Sequence, residues 1–207
     1  MIADQARKFA AFILAGGRST RMGQNKAMLE IDGVTMVDRV IDLVRRAGVE
    51  PVVVGSSGEN RRTLSARVIP DDWPGAGPMG GIATALRETR TPWNLVIACD
   101  MPYLTTEWLE FLLRRASASP ADAVVPKNKN GAEPMCAMYH QRAEVAIRGV
   151  LESGIRKVTE GLAKLQVEYV EPEEWKGFDS DGLLFKNMNE PADYEEAKVR
   201  LSGRAKK

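Results

Sequence analysis

The residues best suited to chemistry lie at the start of the chain, in Phe12-Ile13-Leu14-Ala15-Gly16-Gly17-Arg18-Ser19-Thr20-Arg21-Met22-Gly23-Gln24-Asn25-Lys26. An apolar run, Phe9 to Leu14, reads as a buried strand. It breaks into a segment that combines three glycines with three cations. Glycines let backbone approach a ligand closely, because no Cβ intervenes. Free N–H groups in such a loop cradle an anion, and fixed cations neutralise it. The pattern predicts a loop that binds nucleotide phosphate. It is not a Walker loop: Gln24 and Asn25 separate Gly23 from Lys26, and Ala27 stands where that loop carries a hydroxyl for magnesium.

Further candidates follow downstream. Asp100 comes just after the apolar run Leu95-Val96-Ile97-Ala98. Ligands of open α/β sheets bind at strand carboxyl ends. A carboxylate there could hold Mg²⁺, a cation that prefers oxygen, or could only form the turn before Pro102. Asn189, in Asn187-Met188-Asn189-Glu190-Pro191, is either a neutral oxygen ligand or the N-cap of a helix starting near Pro191. Lys26 and Arg21 suit a triphosphate clamp: a mobile point charge and a planar fork. Arg18 is a third clamp or a solvated residue. Gly75-Ala76-Gly77-Pro78-Met79-Gly80 matches the dinucleotide fingerprint formally, but it does not follow the first strand and carries Pro74 and Pro78. It reads instead as a loop and helix start walling the base and ribose. His140 is the only histidine, which argues against a nucleophilic triad and for a surface or capping role. Trp73, Trp93, Trp108 and Trp175 read as packing anchors.

The elements that must position these residues alternate. Val37, Val40, Ile41 and Val44 have helical spacing, closed by Arg45 and Arg46 before Gly48. Asp32-Gly33 marks a tight turn. Pro51–Val54, Arg67–Ile69, Leu95–Ala98 and Ala123–Val125 read as strands. Gly81–Leu86 reads as a helix, and Thr105 or Thr106 would cap another that carries Trp108, Leu109, Leu112 and Leu113. This rhythm predicts an α/β fold: a mainly parallel central sheet covered by helices on both faces.

The chain has 207 residues and is 44% apolar, enough for one substantial core, and no linker divides it. The expected organisation is a single domain over 1–207, with a nucleotide-binding half at about 9–102 and an acceptor-binding half at about 103–202. The balance of 29 basic against 28 acidic residues argues against a general nucleic-acid binder. No apolar run approaches the ~20 residues of a membrane span, and the polar N-terminus does not read as a signal peptide. Cys99 and Cys136 have neither metal-site spacing nor a disulfide framework. A reduced, cytoplasmic setting is expected.

The motif Leu14-Ala15-Gly16-Gly17-x-Ser19-x-Arg21-Met22-Gly23-x-x-Lys26-x-x-Leu29 resembles the signature of nucleotidyltransferases that activate sugars and cofactors. With Ile69-Pro70-Asp71, Gly77-Pro78-Met79-Gly80-Gly81, Cys99-Asp100-Met101-Pro102 and Asn187-Met188-Asn189-Glu190-Pro191, the chain most resembles the molybdenum cofactor guanylyltransferase family, MobA-like enzymes, over nearly its whole length. The resemblance implies a Rossmann-like three-layer fold. It implies transfer of GMP from MgGTP to molybdopterin with release of pyrophosphate. Leu14, Ala15, Gly16, Gly17, Lys26, Gly55, Asp71, Gly80 and Asp100 would bind nucleotide. Arg21, Lys26 and Asp100 would carry catalysis. Asp100 and Asn189 would hold Mg²⁺, with Mn²⁺ as a substitute. Arg156 and Lys157 would bind the acceptor phosphate, or form a solvated turn. The implied partners are GTP and molybdopterin, with transient contact with molybdoenzymes or their chaperones, and neither nucleic acid nor membrane.

Two departures stand out. Gly55 replaces an Asn that touches nucleotide in the family, so that contact is lost, made by Ser56, or made through an N–H. Glu190 stands where the family has Thr. Rival readings are a cytidylyltransferase or sugar-phosphate nucleotidyltransferase, and a non-catalytic nucleotide-binding module.

Overall fold

The computed structural model describes residues 8–16, 26–55 and 64–202. Among the described residues there are ten strands: β1 (Phe9–Leu14), β2 (Glu30–Ile31), β3 (Val34–Thr35), β4 (Pro51–Val54), β5 (Arg67–Ile69), β6 (Trp93–Ala98), β7 (Ala123–Asn128), β8 (Gly131–Ala132), β9 (Cys136–His140) and β10 (Val167–Val170). The helices are α1 (Met36–Arg46), α2 (Pro78–Glu88), α3 (Thr106–Ala118), α4 (Glu144–Glu152), α5 (Val158–Leu162), α6 (Pro172–Trp175) and α7 (Pro191–Leu201). The central sheet has the order β10-β7-β9-β6-β1-β4-β5, with β8 added to β7. The β1–β4, β1–β6, β4–β5 and β7–β10 pairs are parallel.

Strand β1 shows why the chain forms layers. Phe9, Ala11 and Ile13 face a core shared with α1 and α3, while Phe12 and Leu14 face a core shared with α2, α4 and α5. Both faces are apolar, as a strand covered on two sides requires. Helix starts follow local rules. Thr35 caps α1 by accepting from Asp38 N–H at 3.1 Å, and Thr105, rather than Thr106, caps α3 by accepting from Trp108 N–H at 3.3 Å. Trp108 is wholly buried and donates its indole N–H to Cys136 Sγ at 3.4 Å. Cys99 and Cys136 are both free and buried.

Several elements were not apparent from the apolar pattern: β8, β9, β10, α5 and α6. Strand β9 enters between β6 and β7 and runs antiparallel to both. Its residues Cys136–Tyr139 are all buried, so composition alone does not reveal direction. The reason is chain length: only the short β8 hairpin joins β7 to β9, and a parallel return needs a crossover of a dozen or more residues. No helix among the described residues is long and apolar enough to cross a membrane.

The short distance between α2 and its neighbours depends on small residues. A Cβ on Gly80 would lie 2.9 Å from both Trp73 Cβ and the Trp73 carbonyl oxygen. No rotamer change relieves a clash with backbone. A Cβ on the exposed Gly149, in α4, would meet nothing within 4 Å. Gly80→Ala is therefore expected to destabilise by about 1–3 kcal/mol. Gly149→Ala should stabilise by roughly 0.5–1 kcal/mol through helix propensity. Urea unfolding of the two variants checks both signs.

Candidate functional site

Parallel strands align their carboxyl ends along one edge of the sheet, and the first candidates leave β1 there. Ala15 continues the strand by donating its N–H to Val54 O at 3.0 Å, and Gly16 is the first exposed residue after β1. Gly55, at φ +92°, packs backbone to backbone against it. A Cβ on Gly55 would stand 3.0 Å from Gly16 Cα. The N–H of Gly55 is donated to Ile69 O at 3.1 Å, so it is already used within the sheet. Gly17, Arg18, Arg21 and Ser56 lie outside the described residues.

Lys26 opens a single 3₁₀ turn, Lys26–Met28, anchored by the buried Ala27 and Leu29. Asp100 follows β6. Cys99 N–H reaches Leu14 O at 3.2 Å, which carries the β6–β1 pairing one residue past the strand. Asn189 arrives from nearly the other end of the chain. Lys26 Nζ lies 3.2 Å from Asp100 Oδ2 and 3.0 Å from Asn189 Oδ1. The Lys26 and Asp100 side chains are 19% and 22% exposed, so the ion pair is shielded but reachable by solvent.

Why Asn189 faces the lysine is clear from its backbone. Met188 donates its N–H to Asp100 O at 2.9 Å, strapping the C-terminal segment onto the β6 turn. Met188 itself is buried in a small third core with Leu29, Ile31, Met36, Tyr103, Ala197 and Leu201. That core joins the β2–β3 hairpin, the β6 turn and α7. The N-cap of α7 is Glu190, not Asn189. Asp193 Oδ2 accepts from both the Asn189 and Glu190 N–H groups at 2.9 Å. These two backbone N–H groups are the main reason the Asp193 carboxyl is held below its usual range. The Asn189 carboxamide is therefore not needed as a cap.

Asp71 and Asp72, adjacent and easily confused in sequence, part ways. Asp71 Oδ1 accepts from Trp73 N–H at 2.9 Å and from the buried Thr84 hydroxyl at 3.0 Å. Asp72 turns away to pair with Arg87 at 2.7 Å. Gly80 donates its N–H to Gly77 O at 3.1 Å and is buried against Trp73. The guanidinium of Arg156 reaches the carbonyls of Leu151 at 2.7 Å and Ile155 at 3.2 Å, at the end of α4. Lys157 is the exposed N-cap of α5. Among the described residues, no hydrogen bond or ion pair joins Arg156 or Lys157 to Lys26, Asp100 or Asn189.

Cys99 and His140 are chemically quiet. Burial, then the neighbouring Asp100 carboxylate, pushes the Cys99 thiol up to about 12, so it stays protonated. His140 Nδ1 accepts from Arg142 N–H at 3.2 Å, capping the turn Gln141–Ala143. Its ring sits edge-on to Trp93 with centroids 5.1 Å apart. Burial and then the Arg142 charge lower its affinity for a proton.

The site thus pairs one carboxylate, one carboxamide oxygen and one ammonium at the carboxyl edge of a doubly covered sheet. The donor set suits a hard cation: both oxygens are ligands that Mg²⁺ accepts, with phosphate oxygens and water completing its shell. Among the described residues, no group of three or more His, Cys, Asp or Glu side chains could hold a metal.

The model of the MobA-like NTP transferase domain matches residues 11–167, and the chain belongs to that family. It is 34% identical over 187 residues to a probable molybdenum cofactor guanylyltransferase of Pelotomaculum thermopropionicum, covering 90% of each chain. A probable molybdenum cofactor guanylyltransferase of Bacillus cereus strain Q1 is 30% identical over 200 residues, covering 94% of this chain and 98% of the relative. The crystal structure of molybdopterin-guanine dinucleotide biosynthesis protein A from Archaeoglobus fulgidus superposes with a TM-score of 0.82 at 28% identity, covering 94% of this chain and 99% of that one. A 2-C-methyl-D-erythritol 4-phosphate cytidylyltransferase from Thermus thermophilus shares the fold, with a TM-score of 0.67 at 16% identity, covering 92% and 98%.

One titratable group escaped the motif analysis. Glu133 lies on the link from β8 to β9, beside Met135, whose carbonyl accepts from Ala98 N–H at 2.8 Å. Burial pushes its carboxyl up to about 7, and a hydrogen bond from Asn128 offsets this only in part. A raised carboxyl pKa means the unfolded chain loses this proton first. Stability therefore falls as pH rises from about 4.5 to about 7, and this group contributes no further change above that. Glu133→Gln should raise the melting temperature at pH 7.5 and flatten its pH dependence across that window, read by thermal unfolding at each pH.

Proposed function

We propose that the chain is a molybdenum cofactor guanylyltransferase: it transfers GMP from GTP to the terminal phosphate of molybdopterin and releases pyrophosphate. The observation that carries this reading is the meeting of Lys26, Asp100 and Asn189 within 3.2 Å at the strand ends. The names of relatives at 30–34% identity over most of the chain support the guanine nucleotide and the molybdenum cofactor.

The chemistry asks little covalent work of the protein. A phosphate oxygen of the acceptor bonds to the α-phosphorus, the bond to the bridging oxygen breaks, and pyrophosphate departs with that electron pair. The attacking phosphate is already ionised, so no general base is required. Asp100 and Asn189 are the residues that would hold Mg²⁺, with Mn²⁺ able to replace it. When bound, the ion supplies charge neutralisation at the phosphates. Lys26, and Arg21 five residues before it, stabilise charge on the α-phosphate and on the leaving pyrophosphate. Leu14, Ala15, Gly16 and Gly17 bring backbone close to the nucleotide, as Gly55 and Gly80 do from neighbouring segments. Asp71, anchored through one oxygen by Trp73 and Thr84, offers the other to the nucleotide.

The acceptor occupies the half at about 103–202 of this one domain, with its phosphate near Arg156 and Lys157. The product then passes to molybdoenzymes or their chaperones by transient contact, in a cytoplasmic setting.

Asp100→Ala should lower the rate of pyrophosphate release by ~100-fold or more, the scale of losing one preorganised electrostatic group. Its circular dichroism should remain that of the parent, since the residue stands at a strand end rather than in a core. Full turnover by this variant would remove Asp100 from the mechanism. With molybdopterin present, GTP should outperform CTP, UTP and ATP as donor, and equal use of all four would reject the guanylyl assignment.

A further inference from the structure

We infer that Lys26 is a place-holding cation: without nucleotide, its ammonium stands between the two oxygens that would hold a divalent ion, and so makes metal entry conditional on the triphosphate. This rests on the reading of Asp100 and Asn189 as metal ligands. Lys26 Nζ is at hydrogen-bonding distance from both, 3.2 Å from Asp100 Oδ2 and 3.0 Å from Asn189 Oδ1. A divalent ion on the same two oxygens would stand beside a like charge, with the Lys26 and Asp100 side chains about a fifth exposed and Asn189 open to solvent. The two cations compete.

The three groups differ in freedom to move. The backbone of Asp100 is fixed through its carbonyl, which accepts from Met188 N–H, and through Cys99 N–H on Leu14 O. Asn189 is fixed by Asp193 at the start of α7. Lys26 reaches the oxygens on a four-carbon stem with several rotatable bonds, from a turn of three residues. The ammonium is the member that can leave. A triphosphate offers it several anionic oxygens, and the same oxygens complete the shell of an incoming Mg²⁺. Moving Lys26 onto the nucleotide therefore frees Asp100 and Asn189 as the metal arrives. Nucleotide and metal binding are coupled, and by linkage each raises the affinity for the other by the same factor.

The experiment measures Mn²⁺ binding by electron paramagnetic resonance of the free ion, on the intact protein at fixed ionic strength, with and without GTP. Lys26→Met keeps the bulk of the stem and removes the charge. In the absence of nucleotide it should bind Mn²⁺ at least tenfold more tightly than the parent, and the enhancement of Mn²⁺ affinity by GTP should be smaller than in the parent. A Lys26→Met variant, folded by circular dichroism, that binds nucleotide-free Mn²⁺ no more tightly than the parent overturns the exchange. Asp100→Asn separates this from failure of the underlying assignment. If it leaves Mn²⁺ binding with GTP unchanged in the parent, the ligand assignment itself is wrong. If it abolishes that binding while Lys26→Met gains nothing without GTP, the assignment stands and only the exchange fails.

Discussion

A carboxylate four-fifths withdrawn from water needs a counter-charge, and that need at Asp100 organises the strand-end cluster of this protein. Lys26 supplies it at 3.2 Å from one segment, and Asn189 adds a neutral dipole at 3.0 Å from the lysine. From Lys26 the contacts span 74 residues to Asp100 and 163 to Asn189. Such long loops are costly to close unless other interactions already hold the segments together. The third core around Met188 and Tyr103 does this, and the Met188 N–H to Asp100 O bond sets the register. A small apolar cluster thus positions polar residues that could not order themselves.

The sheet contributes the edge on which the site stands. Its parallel strands bring Leu14, Val54, Ile69 and Ala98 to the same end. Gly16 and Gly55 then let two strand exits touch backbone to backbone. Here the replacement of an expected Asn by Gly has a structural consequence. At φ +92° and 3.0 Å from Gly16 Cα, position 55 strains any side chain. The contact that the side chain would make must come from elsewhere or be absent.

Other polar groups serve structure. Asp193 satisfies backbone at the start of α7, and His140 caps a turn. The tryptophans bury or half-bury their rings, and Trp108 and Trp175 give their indole N–H to Cys136 Sγ and Lys127 O. None of these needs a ligand to satisfy its hydrogen-bonding groups.

Local rules made much of this legible in advance. Pro51–Val54 and Arg67–Ile69 are strands with the bounds the apolar runs imply, and the helix through Val37 and Val44 is present. Such segments declare themselves because period and propensity are properties of neighbouring residues. Gly16, Lys26, Asp100 and Asn189 stood out for the chemistry of their residue types and for the family pattern they share. Direction and convergence were not legible. Nothing in Cys136–His140 says that it runs against its neighbours, since an all-buried strand looks the same either way. Asn189 could have capped a helix as readily as faced a lysine. The choice fell to Glu190 and Asp193, and to a Met188 side chain buried beside Tyr103. Those are contacts between residues far apart in sequence, and only packing creates them.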